Sequence, residues 1–112
     1  MDYCELKRSI QRALIGKVTP NLRGVYVEIK NDLFILIFFY DSPPSEVEVE
    51  LASLADTEFI ADFPYPEYKT DCKVITLPSP GPLPKDDLNI YCLYRRYELF
   101  PFGPPTESGI HY

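Results

Sequence analysis

A chain of 112 residues with 46% apolar content can bury one modest core, which sets the expectation of a single domain. Nine Tyr, seven Phe, no Trp and twelve Pro point to a β-rich fold with stiff connections. The net charge of −6 argues against a nucleic-acid surface, which would present a basic face to phosphates.

The chain opens on MDYCELKRSIQRAL, which lacks the apolar stretch and cleavage pattern of a signal peptide, so none is expected. Residues 4–15 have helical spacing: Leu6, Ile10, Ala13 and Leu14 share one stripe, and Lys7, Arg8 and Arg12 fall off it. Gly16 and Pro20 end the helix. Residues 22–30 alternate as a strand, with Val25, Val27 and Ile29 on one side. Asn31-Asp32 suits a two-residue hairpin turn, since both tolerate a positive φ. The second strand, 33–40, is apolar on both sides and too short to span a bilayer. It fits a central position, covered on both faces or left open to a partner on one.

Asp41-Ser42-Pro43-Pro44 breaks that strand. Ser45 and Glu48 have capping-box spacing and open a second helix that runs to about Asp62. Its predicted buried stripe is Val47, Leu51, Leu54, Ala55 and Ala61. Residues 68–77 and 89–98 alternate as two further strands, joined by the stiff segment Pro78-Ser79-Pro80-Gly81-Pro82-Leu83-Pro84. The expected architecture is α+β, a two-layer sandwich in the order αββαββ, with both helices on one face of a four-stranded sheet. Residues 1–98 form the domain and 99–112 a proline-rich tail. A strand order of 1-2-3-4 would bury the apolar second strand and make strands two and three parallel. An order of 2-1-3-4 would be fully antiparallel. The apolar run favours the first.

The charge is unevenly spread. Residues 31–68 hold nine carboxylates and no Lys, Arg or His, while residues 1–30 hold six basic and three acidic side chains. Residues 69–112 hold five of each, so 3 − 9 + 0 gives the net −6. A surface of this kind suits a basic partner. Glu58 is the exception, because it falls inside the predicted apolar stripe, and Arg23 shares the parity of Val25 and Val27. Either the two meet at the sheet–helix interface, since a charge does not enter a core alone, or the helix bends and Glu58 reaches water.

No catalytic constellation competes with the acidic stretch. Cys4, Cys72, Cys92 and His111 lack metal-ligand spacing, so no metal site and no disulfide framework is expected, and reduced thiols suit a cytoplasmic protein. A Cys- or Ser-based nucleophile would need His111, in the tail. There is no G-x-G-x-x-G and no G-x-x-x-x-G-K. Glu46 with Glu50 and Glu58 with Asp62 are i, i+4 pairs on one helix, not carboxylates facing each other across a cleft, so a solvated helix face is the plainer reading. No catalytic residue and no cofactor is expected.

Three segments carry a family resemblance: Leu14-Ile15-Gly16 with Val18-Thr19-Pro20-Asn21-Leu22-Arg23-Gly24-Val25; Phe38-Phe39-Tyr40-Asp41; and Thr57-Glu58-Phe59-Ile60-Ala61-Asp62-Phe63-Pro64. Over residues 6–97 the chain resembles small bacterial immunity proteins of contact-dependent growth inhibition systems. The resemblance implies a non-enzymatic protein whose partner is a toxin domain released from a large surface protein, often a nuclease. With the acidic stretch it sets the expected binding residues: Asp41, Glu46, Glu50, Asp56 and Asp62, with Tyr40 and Tyr65 as aromatic anchors. Direct nucleic-acid or membrane binding is not expected. The alternative is a regulatory or scaffold module for another basic protein.

Overall fold

The computed structural model describes residues 3–31, 33–63, 69–87 and 89–103. Helix α1 spans Tyr3–Ala13, strands β1 and β2 span Leu22–Lys30 and Leu33–Tyr40, helix α2 spans Glu46–Ala61, and strands β3 and β4 span Lys69–Thr76 and Ile90–Arg95. The predicted αββαββ order therefore holds. Asn31, in the hairpin turn between β1 and β2, has a φ of 53°; Asp32 lies outside the described residues. Gly16, just beyond α1, has a φ of +75°, a left-handed conformation that stops a helix at little cost to glycine.

The sheet order is β3-β2-β1-β4. β2 lies inside and pairs parallel with β3 through the α2 crossover, as the apolar run implied. β4 departs from the expected 1-2-3-4 order: it pairs antiparallel with β1, at the opposite edge from β3. The connection over residues 77–89 makes this possible. β3 and β4 run parallel, so it must cross three strand spacings, roughly 14 Å, and also return along the sheet to the start of β4, a path that a connection of this length can cover in extended form.

The connection also explains why β2 is apolar on both sides. Toward the helices, Phe34, Leu36, Phe38 and Tyr40 join Val25 and Val27 of β1, Leu93 of β4, Leu6, Ile10, Ala13 and Leu14 of α1 and its C-terminal turn, and Ala52, Ala55 and Phe59 of α2. Both helices thus share one face. On the other face Ile35, Ile37 and Phe39 pack with Tyr26 and with Leu83 of the proline-rich connection. The Tyr26 hydroxyl donates to the Pro84 carbonyl at 2.7 Å, and the Leu83 N–H donates to the Pro101 carbonyl at 2.8 Å.

A bulge at Arg23 interrupts the β1–β2 ladder, between the pairs Leu22–Tyr40 and Gly24–Phe39. Arg23 is fully buried. Its Nε and Nη2 donate to the two carboxylate oxygens of Glu98 at 2.8 and 2.7 Å, and its Nη1 donates to the Leu77 carbonyl at 2.8 Å. Arg96 continues the network, reaching Glu98 at 2.9 Å and Asp41 at 3.0 Å. The expected Arg23–Glu58 pair is therefore corrected. Strand parity did locate Arg23 inside, but the planar guanidinium binds Glu98 in a two-pronged grip, whereas Glu58, in the last turn of α2, pairs with Lys17.

Candidate partner-binding site

Helix α2 begins at a capping box: Ser45 Oγ accepts from the Glu48 N–H at 3.1 Å, and Glu48 Oε1 accepts from the Ser45 N–H at 3.0 Å. The helix seats Ala52, Ala55 and Phe59 on the sheet. The predicted stripe of Val47, Leu51, Leu54, Ala55 and Ala61 is thus rotated by about one residue's turn of the helix, roughly 100°. Two alanines let the helix approach the sheet closely, and Phe59 supplies the bulk, stacked edge-on with Phe63 at 5.3 Å between centroids. Val47, Val49 and Leu54 remain exposed.

This rotation decides which carboxylates are available. Glu58 lies one residue from Phe59, swings off the core, and meets Lys17 Nζ at 3.0 Å with its side chain 55% exposed. The α1–β1 loop is also tied to Glu48, which accepts from the Thr19 hydroxyl and from Asn21 Nδ2. Burial raises the Glu48 pKa, but the hydrogen bonds from Thr19, Ser45 and Asn21 outweigh it and hold the carboxyl below its ordinary value.

Of the expected binding residues, Asp41 accepts from the Ser79 N–H at 2.7 Å and pairs with Arg96. That N–H bond, then Arg96, lowers its pKa. Asp62 caps the contact between the two helices, accepting from the Ser9 hydroxyl and pairing with Arg12; those bonds, in that order, lower its pKa. Asp56 is half-buried against β3, and its Oδ1 has no hydrogen-bond partner among the described residues. Burial, then the charge of Asp71, pushes its pKa up to about 6. Tyr40 is corrected from surface anchor to core residue: it is 3% exposed, and its hydroxyl donates to the Glu48 carbonyl at 3.3 Å. Tyr65 lies outside the described residues.

Glu46 and Glu50 are different. Both are exposed on the outer face of α2, and neither is held by a hydrogen bond or ion pair among the described residues. They stand i, i+4 apart, a spacing at which like charges repel. The structure thus brings Glu46 and Glu50 together with exposed Val47, Val49 and Leu54, of which sequence periodicity puts Val47 and Leu54 on the buried stripe and Val49 off it. At the opposite edge of the sheet a cleft of about 640 Å³ is lined by Lys7, Lys85, Arg95, Asp86 and Phe102. It carries three basic side chains and one acidic one among these.

Among the described residues no group of three or more His, Cys, Asp or Glu is arranged to hold a metal ion, and no helix is long and apolar enough to cross a membrane. The fold and the exposed acidic helix describe a small α+β domain whose most distinctive surface suits a protein partner. Residues 4–98 match the family model for the MafI2 immunity protein, and the chain belongs to that family. Comparison with the curated proteins gives no match. Family membership agrees with the resemblance read from the three motifs and gives the chain an immunity role against a toxin.

Proposed function

We propose that the chain neutralises its cognate toxin by binding the toxin domain in the cytoplasm through the outer face of α2, as part of a contact-dependent growth inhibition system. The partner is basic, and a nuclease fits best, because an enzyme that grips nucleic-acid phosphates carries the positive field an acidic helix would meet. One observation carries this reading. Among the carboxylates expected to bind, Asp41 and Asp62 are tied into the fold and Asp56 is half-buried, whereas Glu46 and Glu50 repel each other in the open. A partner's Lys or Arg would turn that repulsion into attraction. The chain acts by occupancy and does no chemistry of its own.

Co-expression with the cognate toxin domain tests the reading. The wild-type chain is expected to restore growth and to co-purify with the toxin. A chain that folds normally yet gives neither rescue nor complex ends it.

A further inference from the structure

The apolar side chains that helical periodicity places in the core lie together on one flank of α2. Val47, Leu51, Leu54 and Glu58 follow i, i+4, i+7, i+11 and so share one flank of α2. Glu58 meets Lys17, which shows that this flank faces the α1–β1 loop. The loop is fastened beside it at two points: Lys17 Nζ bridges Glu58 and the Ala13 carbonyl, and the Thr19 hydroxyl reaches Glu48. Val18 sits between those tethers, and Ile15 stands just before them. Ile15 is 73% exposed, Val47 64%, Leu54 48% and Val18 43%. A shoulder of four exposed aliphatic side chains on a tied-down scaffold is a surface prepared for contact rather than a stray Leu or Val.

We infer that this shoulder is the apolar anchor for the toxin domain, with Glu46 and Glu50 as its charged rim. The inference rests on the immunity reading and specifies its surface. The partner then presents an apolar protrusion ringed by Lys or Arg. A second copy of this chain fits less well. The basic side chain on this flank, Lys17, is already paired with Glu58, so a second copy offers little to meet Glu46 and Glu50. The two parts have separable duties: the rim steers association, and the anchor holds the complex once formed.

Surface plasmon resonance with the immobilised cognate toxin domain tests this. The analytes are wild type, Val47→Ser, Leu54→Ser, Ile15→Ser and Glu46→Gln/Glu50→Gln. Leu54→Ser and Val47→Ser are expected to raise the dissociation rate about tenfold, the scale of an anchor residue, with little change in association rate. The double Gln variant is expected to slow association instead. Thermal midpoints show that the exposed-site variants remain folded. Tight wild-type binding with unchanged dissociation for all three Ser variants would overturn the anchor while leaving immunity intact. Absence of any wild-type complex would remove both. A concentration-dependent dimer in sedimentation that Leu54→Ser dissolves would make a second copy the occupant and overturn the proposal.

Discussion

Arg23 shows how a single residue can be legible in part. Its parity with Val25 and Val27 marked it as buried, and buried charge demands a partner. Its partner, Glu98, lies 75 residues away and is brought in by the bulge and the irregular segment after β4, which no local pattern announces. The two candidate carboxylates make different predictions. Glu98→Ala should destabilise the fold by about 3–5 kcal/mol in urea unfolding, because it leaves a fully buried guanidinium without its charge partner. Glu58→Ala breaks only an exposed pair and should cost less than about 1 kcal/mol. Acid should act through the same network. Arg23, then Arg96, holds the Glu98 pKa below its ordinary 4.5, so the stability it contributes is complete above that value and is lost as pH falls through the lowered one. Asp56 has the opposite sign. Its pKa, raised from 3.8 to about 6, makes the ionised form a burden, so stability falls as pH rises across that interval. Asp56→Asn should therefore raise the urea midpoint relative to wild type at pH above about 6, and the gain should vanish below the ordinary Asp value near 3.8.

At the scale of elements, α2 was placed correctly along the chain and turned incorrectly about its axis. Ser45 and Glu48 announced the start through spacing alone, and Pro64 bounded the end. Helical periodicity puts Val47 and Leu54 in the core, whereas Ala52, Ala55 and Phe59 are what the helix buries. Rules of patterning fail most usefully at functional surfaces, where apolar residues are kept outside for a partner. The cap offers a direct check. Ser45→Ala should lower stability by about 1 kcal/mol through loss of the N-terminal hydrogen bond. Glu48→Ala should cost more than Ser45→Ala, since Glu48 also holds Thr19 and Asn21 of the neighbouring loop. Glu46→Gln loses only an exposed first-turn charge at the helix dipole, offset by relief of its repulsion with Glu50, and should stay within about 0.5 kcal/mol of wild type by the same measurement.

For the whole molecule, the class of fold followed from the order of its periods: helical, strand, strand, helical, strand, strand. The position of β4 did not. Strand neighbours depend on where a thirteen-residue connection crosses the sheet, and residues 77–89 carry no local mark of the crossing. Their apolar Leu83 and the Tyr26 hydroxyl bound to Pro84 become meaningful only once the second face of β2 needs cover. The candidate site was legible as a block of nine carboxylates and not as a surface, because sequence does not tell which acids the fold uses for itself. Asp41, Glu48, Glu58 and Asp62 are so used; Glu46 and Glu50 are left facing outward, across the sheet from a cleft lined by Lys7, Lys85 and Arg95. Exposed acids such as these attract an approaching basic partner, and the attraction is weakened by salt. The most direct measurement of the central claim is the association rate with the cognate toxin domain as ionic strength is raised, for wild type and for Glu46→Gln/Glu50→Gln. Steered binding through α2 predicts a wild-type rate that falls steeply with salt and a double-variant rate that is lower at low salt and distinctly flatter. Identical rates and identical salt slopes for the two proteins would contradict it.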